Sequence, residues 1–479
     1  AAMRSAAVLV GLLALALANP VRDLDEAMEK KGVDVEKLHE MYAEFDKEAK
    51  EQCEQDKTEA KKLEEEYEAE HKGEKPKNAT GDITTANEKA GTEGELMEGD
   101  LVLTKEQVDA LTSSTDPRVR RQALKDVTKR WTVEGGKPTI PYTIDNSLPA
   151  GHKAVVQEGM NYWQKTTCVR FRPATASDVN KIRVFLGGGC YSYVGMTGRQ
   201  QDVSIGYGCE YLATVCHELA HAFGIHHMQT RSDRDRYLSV DMSNVAKGSE
   251  HNFVQDLINT DTFGQPYEYG SIMQYTKSAF AKDSSKITMV AKSPNQYLQD
   301  SFGGMMPTFY DIMLVNKLYC TNACPSKISC SNNGVQDVNS CNKCLCPTSY
   351  SGPYCQSQDP AMKVQSFPAN GQQFTFFITS GSYGAPQTTT FEESLTLLQA
   401  PAGKRISMKF RFYSSIMGQD CKWSGIEILD GPDTRMSGQR LCDYSVTDPK
   451  PVWSNTNRVV LHAFRSMSLL NVSITAYYA

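Results

Sequence analysis

The chain has 479 residues, of which 40% are hydrophobic and 23% charged, with a formal net charge of -6. That length exceeds one ordinary core and predicts about three folded units. The mild charge, with no polybasic tract, excludes nucleic acid as an expected partner.

In chain order, Met3 and Arg4 precede the apolar run "SAAVLVGLLALALA", which ends in Ala16-Leu17-Ala18, a small-x-small cleavage pattern. The run is shorter than the roughly 20 apolar residues of a membrane span. It predicts a secretory signal over residues 3–18, and no later segment predicts a span, so a secreted, extracellular product is expected. In an oxidising compartment the 14 cysteines point to disulfides. Asn78 and Asn471, each in an N-x-S/T triplet, become expected glycosylation sites.

Residues 19–121 read as a pro-segment. From Arg22 to about Asn78, Glu and Lys dominate, with Leu38, Met41, Tyr42 and Phe45 at helical spacing. This predicts a solvated helical segment, partly disordered. The turn-forming "NATGDITTANEKAGTEGELMEGD" predicts an extended linker. Arg118, Arg120 and Arg121 form an R-x-R-R sequence between this arm and the first core-patterned residues, a position expected for processing by a furin-like convertase. Lys129-Arg130 is a second dibasic site.

Strand-like "TIPYTID" and the amphipathic "LPAGHKAVVQEGMNYWQKTTC" open a mixed α/β unit that ends near Cys320. Its "EYLATVCHELAHAFG" predicts a helix that stops at Gly224. Six cysteines then lie between Cys324 and Cys355, too short a stretch for a core without staples. After Gln356, short alternating strands such as "RISMKFRFY" and "GIEILDG" predict a β-sandwich.

Four of the nine histidines fall within "HELAHAFGIHH". His217 and His221, at i and i+4, present both imidazoles on one helix face. Gly224 can end the helix and turn the chain so that His227 closes the site. Three neutral nitrogen ligands with an open position predict one catalytic Zn²⁺, with Glu218 as the base that activates metal-bound water. His226 has no place in this ligand set and is expected in packing or at the surface. HExxHxxGxxH, together with "SIM" at Ser271-Ile272-Met273, has the form of the metzincins, whose Met-turn lies beneath the zinc. Met273 would be that residue.

With "GGGCYSYVG", "VSIGYGC" and "SIMQY", the residues around the motif resemble the astacin family of zinc endopeptidases over about 122–320. The resemblance implies an α+β catalytic domain with a deep active-site cleft. It also implies that Tyr275 is a displaceable zinc ligand that later stabilises the oxyanion, and that Asp100 of "MEGD" binds zinc in the zymogen, with Met97 where the family carries an aromatic residue. Two departures stand out. Met228 replaces the glutamate that anchors the new N-terminus, and Gln274 replaces a histidine.

The family pattern further implies Cys168–Cys320 and Cys190–Cys209. Residues 321–358 resemble an EGF-like module, which implies Cys324–Cys341, Cys330–Cys344 and Cys346–Cys355. Residues 359–479 resemble a CUB domain, which implies Cys421–Cys442. Ser424 stands where calcium-binding CUB domains have aspartate, so no calcium site is expected there. Cys53 and Cys216 are left over. Cys216 reads as a buried thiol, with a Cys53–Cys216 bond in the zymogen as the sharper alternative.

The expectation is a secreted metalloendopeptidase made as a zymogen and acting on extracellular matrix or cuticle-type proteins, with the tail as a binding surface outside the chemistry. The competing reading is an inactive adhesion protein on the same scaffold.

Overall fold

The computed structural model describes residues 20–54, 61–62, 82–113, 130–255, 262–283, 286–382, 388, 391–414, 421, 423–442 and 451–479. The signal run, Asn78, Lys129, and Arg118, Arg120 and Arg121 lie outside these residues.

The N-terminal arm folds. Helices α1 (Pro20–Lys30) and α2 (Val35–Glu54) turn Leu24, Met28, Leu38, Met41, Tyr42 and Phe45 into a core shared with Tyr191, Tyr193 and Val254 of the central unit. The expected solvated, partly disordered segment is therefore corrected over the described part: Glu and Lys occupy the outer face while the apolar stripe is buried. The expected extended linker is corrected too. Its turn formers are helix caps, with the Asp82 side chain accepting from Thr85 N at the start of α3 (Ile83–Ala90) and Gly91 ending it in the left-handed region. Beyond it, α4 (Lys105–Thr112) begins with a reciprocal Thr104/Gln107 capping box.

The central unit carries β1 (Val133–Glu134), β2 (Lys137–Ile144), β3 (Arg170–Pro173), β4 (Lys181–Phe185), β5 (Cys190–Ser192) and β6 (Gln200–Ile205) in one sheet of order β1-β2-β4-β6-β5, with β3 on β2. The pairs β2/β3, β2/β4 and β4/β6 are parallel, while β5 is an antiparallel edge. The arm covers that edge: Leu101 bridges Ser192, Val102 N donates to Ser192 O, and Ser192 N donates to Asp100 O, both hydrogen bonds being 3.0 Å long. Helices α5 (Ala150–Thr166) and α6 (Leu212–Ala222) pack together, and Trp163 Nε1 donates to Cys216 O at 3.1 Å. A ribbon of β7 (Leu238–Val240) and β8 (Met289–Ala291) and then α7 (Phe309–Tyr319) complete the unit.

Two small hairpins, β9 (Val335–Gln336) with β10 (Cys344–Leu345) and β11 (Tyr350–Ser351) with β12 (Ser357–Gln358), precede a two-sheet sandwich. One sheet has the order β13 (Lys363–Gln365), β15 (Glu392–Gln399), β20 (Arg458–Arg465), β17 (Ser424–Leu429), β18 (Gln439–Leu441). The other has the order β14 (Phe374–Ser380), β21 (Leu470–Tyr478), β16 (Ile406–Ser414), β19 (Val452–Trp453). Alternate residues, including Met408, Ile426, Leu461 and Ile474, fill the space between the sheets. Asn471 lies on β21, where its Oδ1 accepts from Thr379 Oγ1 at 3.2 Å.

Disulfides join Cys168 to Cys320, Cys190 to Cys209, Cys324 to Cys341, Cys330 to Cys344, Cys346 to Cys355 and Cys421 to Cys442. Cys53 and Cys216 are separate buried thiols, so the alternative of a bond between them is not realised. Cys53 lies on Arg234, 3.5 Å from Nη2, whereas Cys216 faces the α5 contact, near enough that a Cβ on Gly159 would lie 3.7 Å from its sulfur.

Polar contacts bind the folded units to one another. Asn339 donates to the carbonyls of Gln164, Lys165 and Thr167 at the end of α5, tying the small cysteine-rich unit to the central one. Buried Arg440 donates to Gly303 O at 2.6 Å, Ser437 N donates to the Glu268 carboxylate, and Tyr310 Oη donates to Asp433.

Candidate active site

Helix α6 is apolar on nearly every side and buried at every residue but Ala213, so it holds its side chains in fixed positions. His217 and His221 leave it from one face. The helix ends at Phe223, and Gly224 takes φ +98°, a conformation that L side chains rarely adopt. Gly224 N donates to His221 O and Ile225 N to Ala220 O, reversing the chain toward His227.

The reversal brings three Nε2 atoms together. Those of His221 and His227 lie 2.9 and 3.2 Å from Nε2 of His217. Asp100 of the arm closes the fourth corner, with carboxylate oxygens 3.1, 3.3 and 3.2 Å from the Nε2 atoms of His217, His221 and His227. Ligands about 2.1 Å from a tetrahedral ion stand roughly 3.4 Å apart. The four buried groups stand slightly closer than this and need only a small expansion to fit one Zn²⁺, and three imidazoles with one carboxylate are a zinc donor set.

Each imidazole is oriented through its other nitrogen. His217 Nδ1 faces Ile272 O, His221 Nδ1 faces Ile225 O at 2.7 Å, and His227 Nδ1 faces the Glu98 carboxylate at 2.8 Å. Sequence reasoning singled out none of these partners. Burial opposes charge on Asp100, yet His227 and His221, with hydrogen bonds from His217 and His221, hold its carboxyl well below the usual range. Burial likewise opposes charge on His227, but Asp100 and then Glu98 raise it to about 9.

Glu218 is completely buried, and neither carboxylate oxygen has a hydrogen-bond partner among the described residues. Burial, and next to it the charge of Asp100, pushes its carboxyl well above the usual range. A buried carboxyl with no partner among the described residues, next to the ligand cluster, is chemically able to handle a proton there. His226 is buried, both ring nitrogens lack described partners, and burial depresses it to about 4.

The Met-turn closes against the third histidine. Met273 is buried and its carbonyl accepts from Met228 N at 2.7 Å. Met228 itself packs into the core, so this main-chain bond joins the third histidine to the turn irrespective of the side chain at 228. Asp311 of α7 fixes the turn from behind, bonding Ser271 Oγ at 2.5 Å and Ile272 N at 3.1 Å. The pattern Thr308-x-x-Asp311 marks the start of a helix in the sequence, but its second role needs the tertiary contact. Tyr275 lies against His227, with ring centroids 4.8 Å apart, and its hydroxyl donates to Glu98 O. Gln274 Oε1 accepts from Tyr267 Oη at 2.5 Å.

The arm passes this point with little clearance. A Cβ on Gly99, at φ +74°, would lie 2.5 Å from the Phe280 ring and 3.4 Å from Tyr275 Oη. Beside His217, Asp100 and Tyr275 opens a cavity of about 110 Å³.

The Astacin peptidase family profile matches residues 123–320. Zinc metalloproteinase nas-31 of Caenorhabditis elegans is 34% identical over 389 residues, covering 78% of this chain and 62% of its own length. Zinc metalloproteinase nas-28 of the same organism is 35% identical over 350 residues, covering 69% of each. The chain thus spans about three-fifths of the first curated relatives it matches, 62% and 58% of their lengths. Among solved structures, High choriolytic enzyme 1, a hatching enzyme zinc-protease from Oryzias latipes, is 34% identical, covers 40% of this chain and 93% of its own, and has a TM-score of 0.36.

Proposed function

The chain belongs to the astacin family of zinc metallopeptidases, and from that premise we propose that it is a secreted endopeptidase, made as a zymogen and hydrolysing internal bonds of extracellular proteins. The observation that carries this reading is the buried His217, His221, His227 and Asp100 cluster with Glu218, unpartnered, beside it.

Zinc, when bound, supplies Lewis-acid polarisation and makes water acidic enough to ionise near neutral pH. The protein's residues do the rest. Glu218 takes a proton from the attacking water and returns it to the departing amine, as a buried carboxylate of raised basicity can. The Tyr275 hydroxyl, free of Glu98 O once the arm leaves, donates to the oxyanion that forms at the scissile carbonyl. Met273 and Asp311 keep the floor of the site from yielding.

In the uncleaved chain Asp100 occupies the corner where substrate and water would enter, which supports latency. Cleavage at Arg118, Arg120 and Arg121 by a furin-like convertase would release it. The tail is read as an EGF-like module at 321–358 and a CUB domain at 359–479, with glycans at Asn78 and Asn471. Matrix or cuticle-type proteins are the proposed substrates. No helix among the described residues is long and apolar enough to cross a membrane.

The test is cleavage of gelatin and quenched peptides by the protein processed after Arg121, with chelation, zinc restoration and Glu218→Ala as controls. Cleavage that needs both zinc and Glu218 supports the reading. A folded, zinc-loaded, processed protein that cleaves nothing returns the adhesion alternative.

A further inference from the structure

The sandwich does not stand apart from the site, as the sequence led us to expect of a binding tail. The cavity beside His217 is lined by Leu212 and Ile272 of the central unit and by Phe391, Trp423 and Ser466 of the sandwich. Trp423 meets Tyr211, just before α6, edge to face with ring centroids 5.4 Å apart. Phe391 packs with Met305 of the central unit against the Cys421–Cys442 disulfide and Phe464.

This wall is held firmly. Ser466 N donates to Trp423 O at 2.7 Å, and the disulfide lies two residues before Trp423. Arg440 Nη1 donates to Gly303 O at 2.6 Å and to Ser301 O at 3.3 Å, while Ser301 Oγ donates to Gly438 O at 2.8 Å. The contact is also close, since a Cβ on Gly270 would lie 2.3 Å from Ser437 Oγ. A sheet so locked keeps its aromatic rings at a set distance from the zinc ligands.

The arm already indicates what such a space accepts. Ile83 lines the cavity together with Asp82 and Thr84, and its side chain packs on the central core. Removal of the arm would vacate a space with an apolar wall on either side. A second polypeptide brought to the zinc would enter the same space.

We propose that the C-terminal sandwich forms one wall of the substrate cleft, and that Trp423 and Phe391 shape a subsite beside His217 for a bulky apolar side chain of the substrate. This rests on the endopeptidase reading and deepens it. The tail then contributes to the choice of peptide bond and does more than carry the enzyme to its targets. One apolar contact of this kind discriminates by about 10- to 200-fold between a filling and a non-filling side chain.

The test uses the full processed chain and a peptide library varied one position at a time around the cleaved bond. Wild-type protein is expected to favour large apolar residues at one position. Trp423→Ala and Phe391→Ala each lower kcat/KM for those peptides by about tenfold, with little change for peptides carrying Gly or Ala there. Trp453→Ala, on the other sheet, leaves the profile as it is. Trp423→Leu retains apolar bulk and secures the test if the alanine variant is not secreted, with a smaller change in the same direction. Variants that fold, bind zinc and keep the wild-type profile overturn the proposed wall while leaving the endopeptidase reading intact. A wild-type protein without activity on any peptide overturns that reading itself.

Discussion

Glu98 and Asp100 hold the same imidazole from its two ends. The Glu98 carboxylate lies 2.8 Å from Nδ1 of His227 and the Asp100 carboxylate 3.2 Å from its Nε2. His217 and His221 use carbonyls of the central unit for their outer contact, so His227 alone among the three takes its outer contact from the arm. A buried hydrogen bond to a charged group contributes about 1.5–3 kcal/mol. Glu98→Ala should therefore raise peptide cleavage by the uncleaved chain roughly 10- to 100-fold, and Asp100→Ala by more. Both are read on quenched peptides with an Arg121→Ala background to prevent processing. Unchanged latency in Glu98→Ala would mean that Asp100 suffices.

Glu218→Ala should lower peptide cleavage by about 10²- to 10⁴-fold, the range of a general base, without loss of zinc. His221→Ala, by contrast, should lose zinc along with activity. Metal content by atomic absorption beside the cleavage rate separates the two. Parallel loss of metal in both variants would assign Glu218 a structural role.

Removal of zinc from the uncleaved chain should destabilise it, since binding to the native state alone adds free energy in proportion to the logarithm of ligand excess. At a 100-fold excess over Kd the contribution is about 2.7 kcal/mol. Thermal unfolding with and without chelator measures it.

His462 links stability to pH within the sandwich. Burial opposes its charge, but the carboxylates of Glu393, 3.6 Å away, and Glu427, 3.2 Å away, outweigh that and raise it to about 9 from 6.5. The folded value exceeds the unfolded one, so the contribution is complete below about pH 6.5 and is lost as pH rises through about 9. With Glu393 half exposed, about 2 kcal/mol is expected instead of the full linkage value. The difference in Tm between wild type and His462→Gln should shrink steadily between those pH values. A constant difference would show that the pair is not ionised as described.

Arg440 is buried at the junction of sandwich and central unit, with Glu427 3.9 Å away. Arg440→Met leaves the carbonyls of Ser301 and Gly303 without their side-chain donor, at a cost of about 1–3 kcal/mol. The expected result is a lower Tm and faster proteolytic release of the sandwich. Undiminished resistance to proteolysis would place the strength of the junction elsewhere.

Much of the fold was readable because it depends on local pattern. The i, i+4 histidines, the glycine that ends α6 and the alternation in "RISMKFRFY" are set by helical and strand geometry over a few residues. The arm misled for the opposite reason. Its charge is high, and whether Leu38, Met41, Tyr42 and Phe45 are buried depends on Tyr191, Tyr193 and Val254, more than a hundred residues away. The turn formers of the expected linker were read as marks of an extended segment, but as helix caps they hold structure in place.

The sequence by itself determined the zinc ligands of the central unit, because one ion must be gripped by donor atoms a few ångströms apart and a helix with its closing turn places His217, His221 and His227 at that spacing. Only the tertiary structure decided what surrounds them. Glu98 on His227, Asp311 behind the Met-turn, and Trp423 on the far wall of the cavity all come from distant parts of the chain. No local periodicity encodes such meetings; they arise when separately patterned surfaces are buried against one another.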